Sequence, residues 1–255
     1  MSTGFIVIIP ARLRSTRLPG KMLADIGGKP LVAWVVERAR ESGAARVVVA
    51  TDHDDIARAL APLGCEVCLT AESHETGTDR IAEASKKLGL ADADIVVNVQ
   101  GDEPLIDPRL VRGVADMLAR HPEASIATAA LPISSAGEFF DPNVVKVVVD
   151  REGFAQYFSR APIPYARDAF ARSREALPEG LPACRHIGIY AYRVRFLNRY
   201  ASLEPTATER FEALEQLRAL AHGFRIAVTM WTEPMPPGVD TAEDLERVRR
   251  QLAKA

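Results

Sequence analysis

Arg12, Arg14 and Arg17, the hydroxyls of Ser15 and Thr16, a Pro19-Gly20 pair and Lys21 lie close together near the start of the chain. They follow directly on a wholly apolar run, Phe5 to Ile9. Arginine offers a planar fork of donors, lysine a point charge, and a glycine-containing backbone can turn its N–H groups inward. Together they suit a polyphosphate. An exposed loop that merely keeps the chain soluble would also be basic, but it would have no reason to follow a core strand or to interleave charges with Pro, Gly and hydroxyls. No GxxxxGK[ST] and no GxGxxG occurs, so neither a P-loop nor a dinucleotide fingerprint is present.

Two acidic segments complement this loop. Asn98-Val-Gln-Gly-Asp-Glu-Pro104 puts Asp102 just past an apolar run, a good place for a divalent cation, which takes one or two carboxylates plus substrate phosphates. Asp102 as a mere helix cap is disfavoured because Asp107-Pro108 already supplies one. Asp240, after Pro237-Gly238, reads equally well as a second ligand or as the cap of the last helix. Further along, Arg160 could grip a carboxylate in bidentate fashion. His186 and Tyr190, four apart on an expected strand, share a face. Glu215 and Gln216, in an otherwise Leu-rich helix, could accept hydrogen bonds from sugar hydroxyls. Singly, each of these is more often structural than functional. Cys65 and Cys68 form a CxxC, but on a short strand their sulfurs fall on opposite faces, and no second pair completes a zinc site. They read as packing residues.

The elements that must position these groups follow from periodicity. Phe5–Ile9 is a strand buried on both faces, expected to stop at Pro10. Pro30 opens a helix to about Ser42, ended by Gly43. Strands at 46–50, 65–69 and 94–99 alternate with helices starting near Thr51–Asp54, Thr76–Asp79 and Asp107-Pro108. This alternation predicts an α/β fold with a mostly parallel sheet and helices on both faces. From Ser125 the rhythm changes. Strands are expected at 125–131, 144–149 and 186–193, with an irregular excursion over 150–184. A continuous helix is expected at 208–221, a short strand at 225–228 and a final helix at 241–254.

At 255 residues, 47% apolar and 26% charged, the chain suits one large α/β domain or one domain with an insertion. We divide it into a nucleotide-binding half (1–124), a sugar-binding and dimerisation region (125–224) and a C-terminal return to the core (225–255). A formal charge of -2 points to neither a nucleic-acid nor a membrane partner. No signal peptide and no stretch of membrane-spanning length is visible. Three cysteines, an odd count, suit a reducing compartment, and a cytoplasmic location is expected.

The combination IIPAR, STRLPGK, ATD, TGTDR, VNVQGDEP, FSRA, RHIGIYAYR, LEQLR and GVDTAEDLERVR resembles the 3-deoxy-manno-octulosonate (Kdo) cytidylyltransferases, or CMP-Kdo synthetases, over Ile6 to about Arg249. The CMP-sialate synthetases carry a different first loop. The resemblance implies a Rossmann-like nucleotidyltransferase fold with an inserted dimerisation excursion, a homodimer, and magnesium-dependent transfer of CMP from CTP to the anomeric hydroxyl of Kdo. It implies that Arg12, Arg17 and Lys21 hold the CTP phosphates and that Thr78 and Arg80 face the cytosine. Asp102 and Asp240 would ligate magnesium, polarising the α-phosphate. Gln100, Arg160, His186, Tyr190, Glu215 and Gln216 would surround Kdo. Asp79 departs from the family's Glu, with little consequence expected. The competing readings are a cytidylyltransferase for another acidic sugar, such as 8-amino-Kdo or sialic acid, and a non-catalytic nucleotide-binding regulatory module on the same fold.

Overall fold

The computed structural model describes residues 4–15, 17–74 and 76–253. Thr16 of the basic loop lies outside them, as does the expected end of the last helix at Lys254. The first half runs β1 (Ile6–Ala11), a short hairpin β2 (Asp25–Ile26) and β3 (Lys29–Pro30), α1 (Leu31–Glu41), β4 (Arg46–Thr51), α2 (Asp54–Leu60), β5 (Glu66–Leu69), α3 (Gly77–Lys87), β6 (Ile95–Asn98) and α4 (Pro108–Arg120). The second half runs β7 (Ile126–Pro132), α5 (Ala136–Phe140), β8 (Lys146–Val149), β9 (Ala155–Ser159), α6 (Arg167–Phe170), β10 (Cys184–Arg193), α7 (Val194–Tyr200), α8 (Ala207–Glu212), α9 (Gln216–Ala221), β11 (Ile226–Met230) and α10 (Ala242–Leu252).

One nine-stranded sheet organises the chain, in the order β11-β7-β10-β6-β1-β4-β5, with β8 and β9 attached to β10 at one side. The pairs β1–β4, β1–β6, β4–β5 and β7–β11 are parallel. β10, inserted between β6 and β7, runs against both. Val7 and Ile9 of β1 point to a core shared with α1, α4 and α10, whereas Ile8 points to a second core under α3, α7 and α9. This two-sided burial is what an unbroken apolar strand requires. Cys65 and Cys68 pack on these two opposite sides, as their spacing predicted.

Four expectations are corrected. β1 continues through Pro10, which pairs with Ala50. Ile8 takes Val99 N–H on its carbonyl, so the polar groups of Ile8, and of Pro10 two residues on, face β6. The β1–β6 ladder ends at Ile8 and Asn98, so the missing N–H of Pro10 has no ladder partner to lose. The excursion after Asp150 is not irregular throughout. It holds β9, paired antiparallel with β8, and Phe154 and Phe158 of its aromatic run are core residues while Tyr157 and Tyr165 are exposed. The short helices α5 and α7 were not anticipated. Finally, the helix expected over 208–221 is two helices, broken at Ala213 with φ 52. Glu212 at the break hydrogen-bonds Ser159 Oγ (2.5 Å) and Arg160 N–H (2.8 Å). Two tertiary bonds to one carboxylate outweigh the small difference in helix propensity that favoured continuity.

Candidate active site

Two adjoining cavities open beyond the carboxyl ends of β1 and β6, where ligands of open α/β sheets bind. The larger, about 500 Å³, is strongly polar. The β1 loop contributes Arg12, Arg17 and Lys21, the start of α3 contributes Arg80, and the β6 tail contributes Gln100 and Asp102, with Asp240 opposite.

Lys21 is its buried hub, only 8% exposed. The Nζ lies 2.6 Å from Asp102 Oδ2, 3.1 Å from Asp240 Oδ1 and 3.1 Å from the Val239 carbonyl. Gly20, at φ 69, supplies the left-handed turn that drops Lys21 inward. Arg17 pairs with Asp240 at 3.0 Å. The C-terminal segment is stitched to the β6 tail by Val239 N–H on the Asp102 carbonyl (2.8 Å). A Cβ on Gly238 would sit 3.2 Å from that carbonyl, so this close approach suits glycine. The cap of α10 is Thr241, whose hydroxyl accepts from Asp244 N–H while Asp244 reaches back in a capping box. Asp240 is therefore not committed to the helix end, and its carboxylate turns to the cations.

Asp102 and Asp240 thus present hard carboxylate oxygens to one common cationic position, which suits a divalent metal completed by phosphate oxygens. Among the described residues, no group of three or more His, Cys, Asp or Glu could hold a metal by protein ligands alone. A donor set of two carboxylates fits an ion carried in with a phosphate substrate.

Arg80 differs from the other cations. It is 3% exposed, and its guanidinium bonds Asp52 Oδ2 (3.0 Å) and Thr70 Oγ1 (2.5 Å). The other oxygen of Asp52 accepts Leu13 N–H at 3.4 Å. Arg80 and Asp52 therefore tie the root of the basic loop to β4 and α3.

The second cavity, about 240 Å³, has aromatic walls. Tyr190 and Tyr192 stack at 5.7 Å, and Tyr192 stacks on Phe196 at 6.0 Å. Thr78, Asn98, Glu215 and Gln216 supply its polar groups. Glu215 accepts from Thr78 Oγ1 (3.1 Å) and from the Tyr200 phenol (3.4 Å). Burial pushes the Glu215 carboxyl above its ordinary range, partly offset by the Thr78 bond. Gly77, Gln100 and Glu215 line both cavities, so a ligand in one meets a ligand in the other there.

Arg160 and His186 line neither cavity. The Arg160 guanidinium donates to the carbonyls of Glu212 (2.7 Å) and Pro142 (3.1 Å). His186 Nε2 lies 2.9 Å from Thr128 Oγ1, and its ring sits 5.3 Å from Tyr190. The two share a face even though β10 bulges between Ile187 and Tyr190, because the bulge adds two residues and parity is kept. Burial pulls the His186 pKa down to about 3. Asp52, Asn98, Tyr192 and Tyr200 also belong to the site and were missed by sequence reasoning. Asp52 and Asn98 carried a signal, since each is polar at the carboxyl end of an apolar strand.

A model of the family described as "Cytidylyltransferase" matches residues 6–226. A 3-deoxy-manno-octulosonate cytidylyltransferase of Pseudomonas fluorescens is 60% identical over 99% of both chains. The structure of a CMP:2-keto-3-deoxy-manno-octonic acid synthetase complexed with CTP superimposes with a TM-score of 0.89, at 42% identity and 99% coverage of each chain. A cytidylyltransferase from Leptospira borgpetersenii, 18% identical with a TM-score of 0.62 over 99% of this chain and 88% of its own, shares the fold. With this similarity running from end to end of a chain whose two adjoining cavities share one wall, the chain belongs to the cytidylyltransferase family, in its 3-deoxy-manno-octulosonate branch.

Proposed function

We propose that the protein transfers CMP from CTP to the anomeric hydroxyl of Kdo, releasing pyrophosphate and forming CMP-Kdo, the activated sugar for lipopolysaccharide synthesis. The observation that carries this reading is the shared wall: a cationic cavity and an aromatic, hydroxyl-binding cavity meet at Gln100 and Glu215. In this reading the triphosphate lies against Arg12, Arg17 and Lys21, with the cytosine near the start of α3 on the Arg80 side, while Thr78, first expected beside the cytosine, lines the aromatic cavity and turns to the sugar. Kdo lies along Tyr190, Gln100, Glu215 and Gln216. His186 packs its ring beside Tyr190, and Arg160, bonded to Glu212 at the helix break, orders the segment that carries Glu215 and Gln216.

The anomeric oxygen forms the new bond to the α-phosphorus while the bond to the pyrophosphate bridging oxygen breaks, and the hydroxyl proton leaves to solvent. Both reactants are anionic, so catalysis is mostly positioning and charge neutralisation. Lys21 and Arg12 offset charge on the departing pyrophosphate. Asp102 and Asp240 would hold magnesium, which when bound acts as a Lewis acid on phosphate oxygens. Gln100, at the shared wall, orients the sugar toward the phosphate.

A homodimer fits the exposed Tyr157 and Tyr165 of the excursion, and light scattering tests it. Among the described residues, no helix is long and apolar enough to cross a membrane, and we place the enzyme in the cytoplasm. The deciding experiment is pyrophosphate release from CTP and magnesium with Kdo, 8-amino-Kdo and sialic acid. Release with Kdo alone is expected. Release with another sugar only would move the sugar assignment, and CTP binding without release from any sugar would favour a regulatory module.

A further inference from the structure

The β6 strand reads Ile95, Val96, Val97, Asn98, and all four are buried. Asn98 is 3% exposed and forms part of the wall of the aromatic cavity. Its Oδ1 is buried without any hydrogen-bond partner. A buried carbonyl without a donor is costly, and native proteins keep such groups rarely and for a reason. Among the described residues the other side-chain orphan is Trp231 Nε1, which lines neither cavity.

The neighbours explain why the protein itself does not satisfy Asn98. The Thr78 and Tyr200 hydroxyls both donate to Glu215. Tyr190, directly across the strand pair from Asn98, is engaged in ring stacking with Tyr192. Two of the hydroxyls lining the cavity are thus directed at Glu215, and although the Tyr192 phenol lies against the Asn98 side chain, the Asn98 oxygen itself stays without a donor and is left for one brought by the ligand. A polyhydroxylated sugar carries donors at the spacing of its ring and side-chain carbons, the triphosphate carries only acceptors, and in the reading above the ribose and cytosine donors of CTP lie with the cationic cavity.

We propose that Asn98 is a sugar-binding residue, whose Oδ1 accepts a hydrogen bond from one hydroxyl of the acidic sugar. This rests on the sugar occupying the aromatic cavity in the reading above. The residue acts by holding the sugar in register with the shared wall, so its loss falls on the sugar's KM and leaves CTP untouched. A purely structural asparagine would behave differently. Replacing it would lower the melting temperature and weaken both substrates together.

The test is Asn98→Leu, which keeps the shape and removes the orphan oxygen, with pyrophosphate release measured against Kdo and CTP separately. The KM for Kdo should rise about tenfold or more, with the KM for CTP unchanged and the melting temperature unchanged or higher. Should that variant fail to fold, a crystal structure of the parent enzyme with CTP and a non-reacting deoxy analogue of Kdo decides. A sugar hydroxyl at about 3 Å from Oδ1 supports the assignment, and a water or no polar atom there overturns it. An unchanged KM for Kdo, or an equal rise for both substrates, also overturns it. A parent enzyme inactive with Kdo overturns the functional reading itself, an outcome distinct from an active parent whose leucine variant keeps its sugar affinity.

Discussion

Lys21 Nζ stands 2.6 Å from Asp102 Oδ2, joining the loop after the first strand to the tail of a strand eighty-one positions later. The same ammonium reaches Asp240 at 3.1 Å. Three segments far apart in sequence are therefore pinned at one point, and two carboxylates are held facing one position. Removing Asp102's charge should disable the chemistry while leaving the fold. We expect Asp102→Asn to reduce turnover by about 10²-fold or more, the scale seen when one electrostatic stabiliser is lost, with an unchanged circular dichroism spectrum. Near-normal turnover would remove Asp102 from the mechanism.

Gly101 governs where Asp102 sits. A Cβ there would lie 2.8 Å from the Pro10 carbonyl and 3.1 Å from Met22 Sδ, and the backbone neighbour cannot yield. Gly101→Ala should push the ends of β1 and β6 apart and displace the carboxylate. The expected result is a loss of kcat out of proportion to a modest drop in melting temperature, measured on the same preparation.

The Arg80–Asp52 pair is nearly sealed from solvent, with side chains 4% and 12% exposed. Breaking one half leaves the other charge buried. Asp52→Ala should destabilise the protein by about 3–5 kcal/mol in urea titration, and the basic loop should become more susceptible to protease. A change under about 1 kcal/mol would show that the pair behaves as an ordinary surface bridge.

His186 gives a pH signature. Its pKa in the fold is about 3, lowered by burial, against about 6.5 in the unfolded chain. Between those values the unfolded state binds the extra proton, so stability is full above pH 6.5 and declines as pH falls toward 3. In His186→Gln the melting temperature should fall less steeply over that window than in the parent. Parallel curves would mean that His186 does not titrate on unfolding.

Ala213 occupies the left-handed region, at φ 52, without the exemption glycine enjoys there. Ala213→Gly should raise stability by up to about 1 kcal/mol by relieving that strain and keep activity. Ala213→Val should lower stability, since a β-branched side chain tolerates the region least. Equal stabilities for the three residues would argue against strain at the break.

The alternation of buried strands and capped helices was legible along the chain, because a strand covered on both faces must be uniformly apolar and a helix start must satisfy its free N–H groups locally. So was the position of cationic and acidic groups past strands, since the loop from Arg12 to Lys21 and the tail bearing Asp102 each follow a recognisable apolar run. What the sequence could not decide depended on partners distant in the chain. The helix break at Ala213 follows from Glu212 bonding Ser159 and Arg160, and local propensity carries no record of that. Pro10 stays in its strand because β6 ends beside it. Asp240 faces Lys21 because Thr241 takes the helix cap, a choice between adjacent residues that spacing left open. The meeting of two cavities at Gln100 and Glu215 exists only once β6 and the broken helix are packed against each other, since hydrogen bonds and packing between remote segments set their positions.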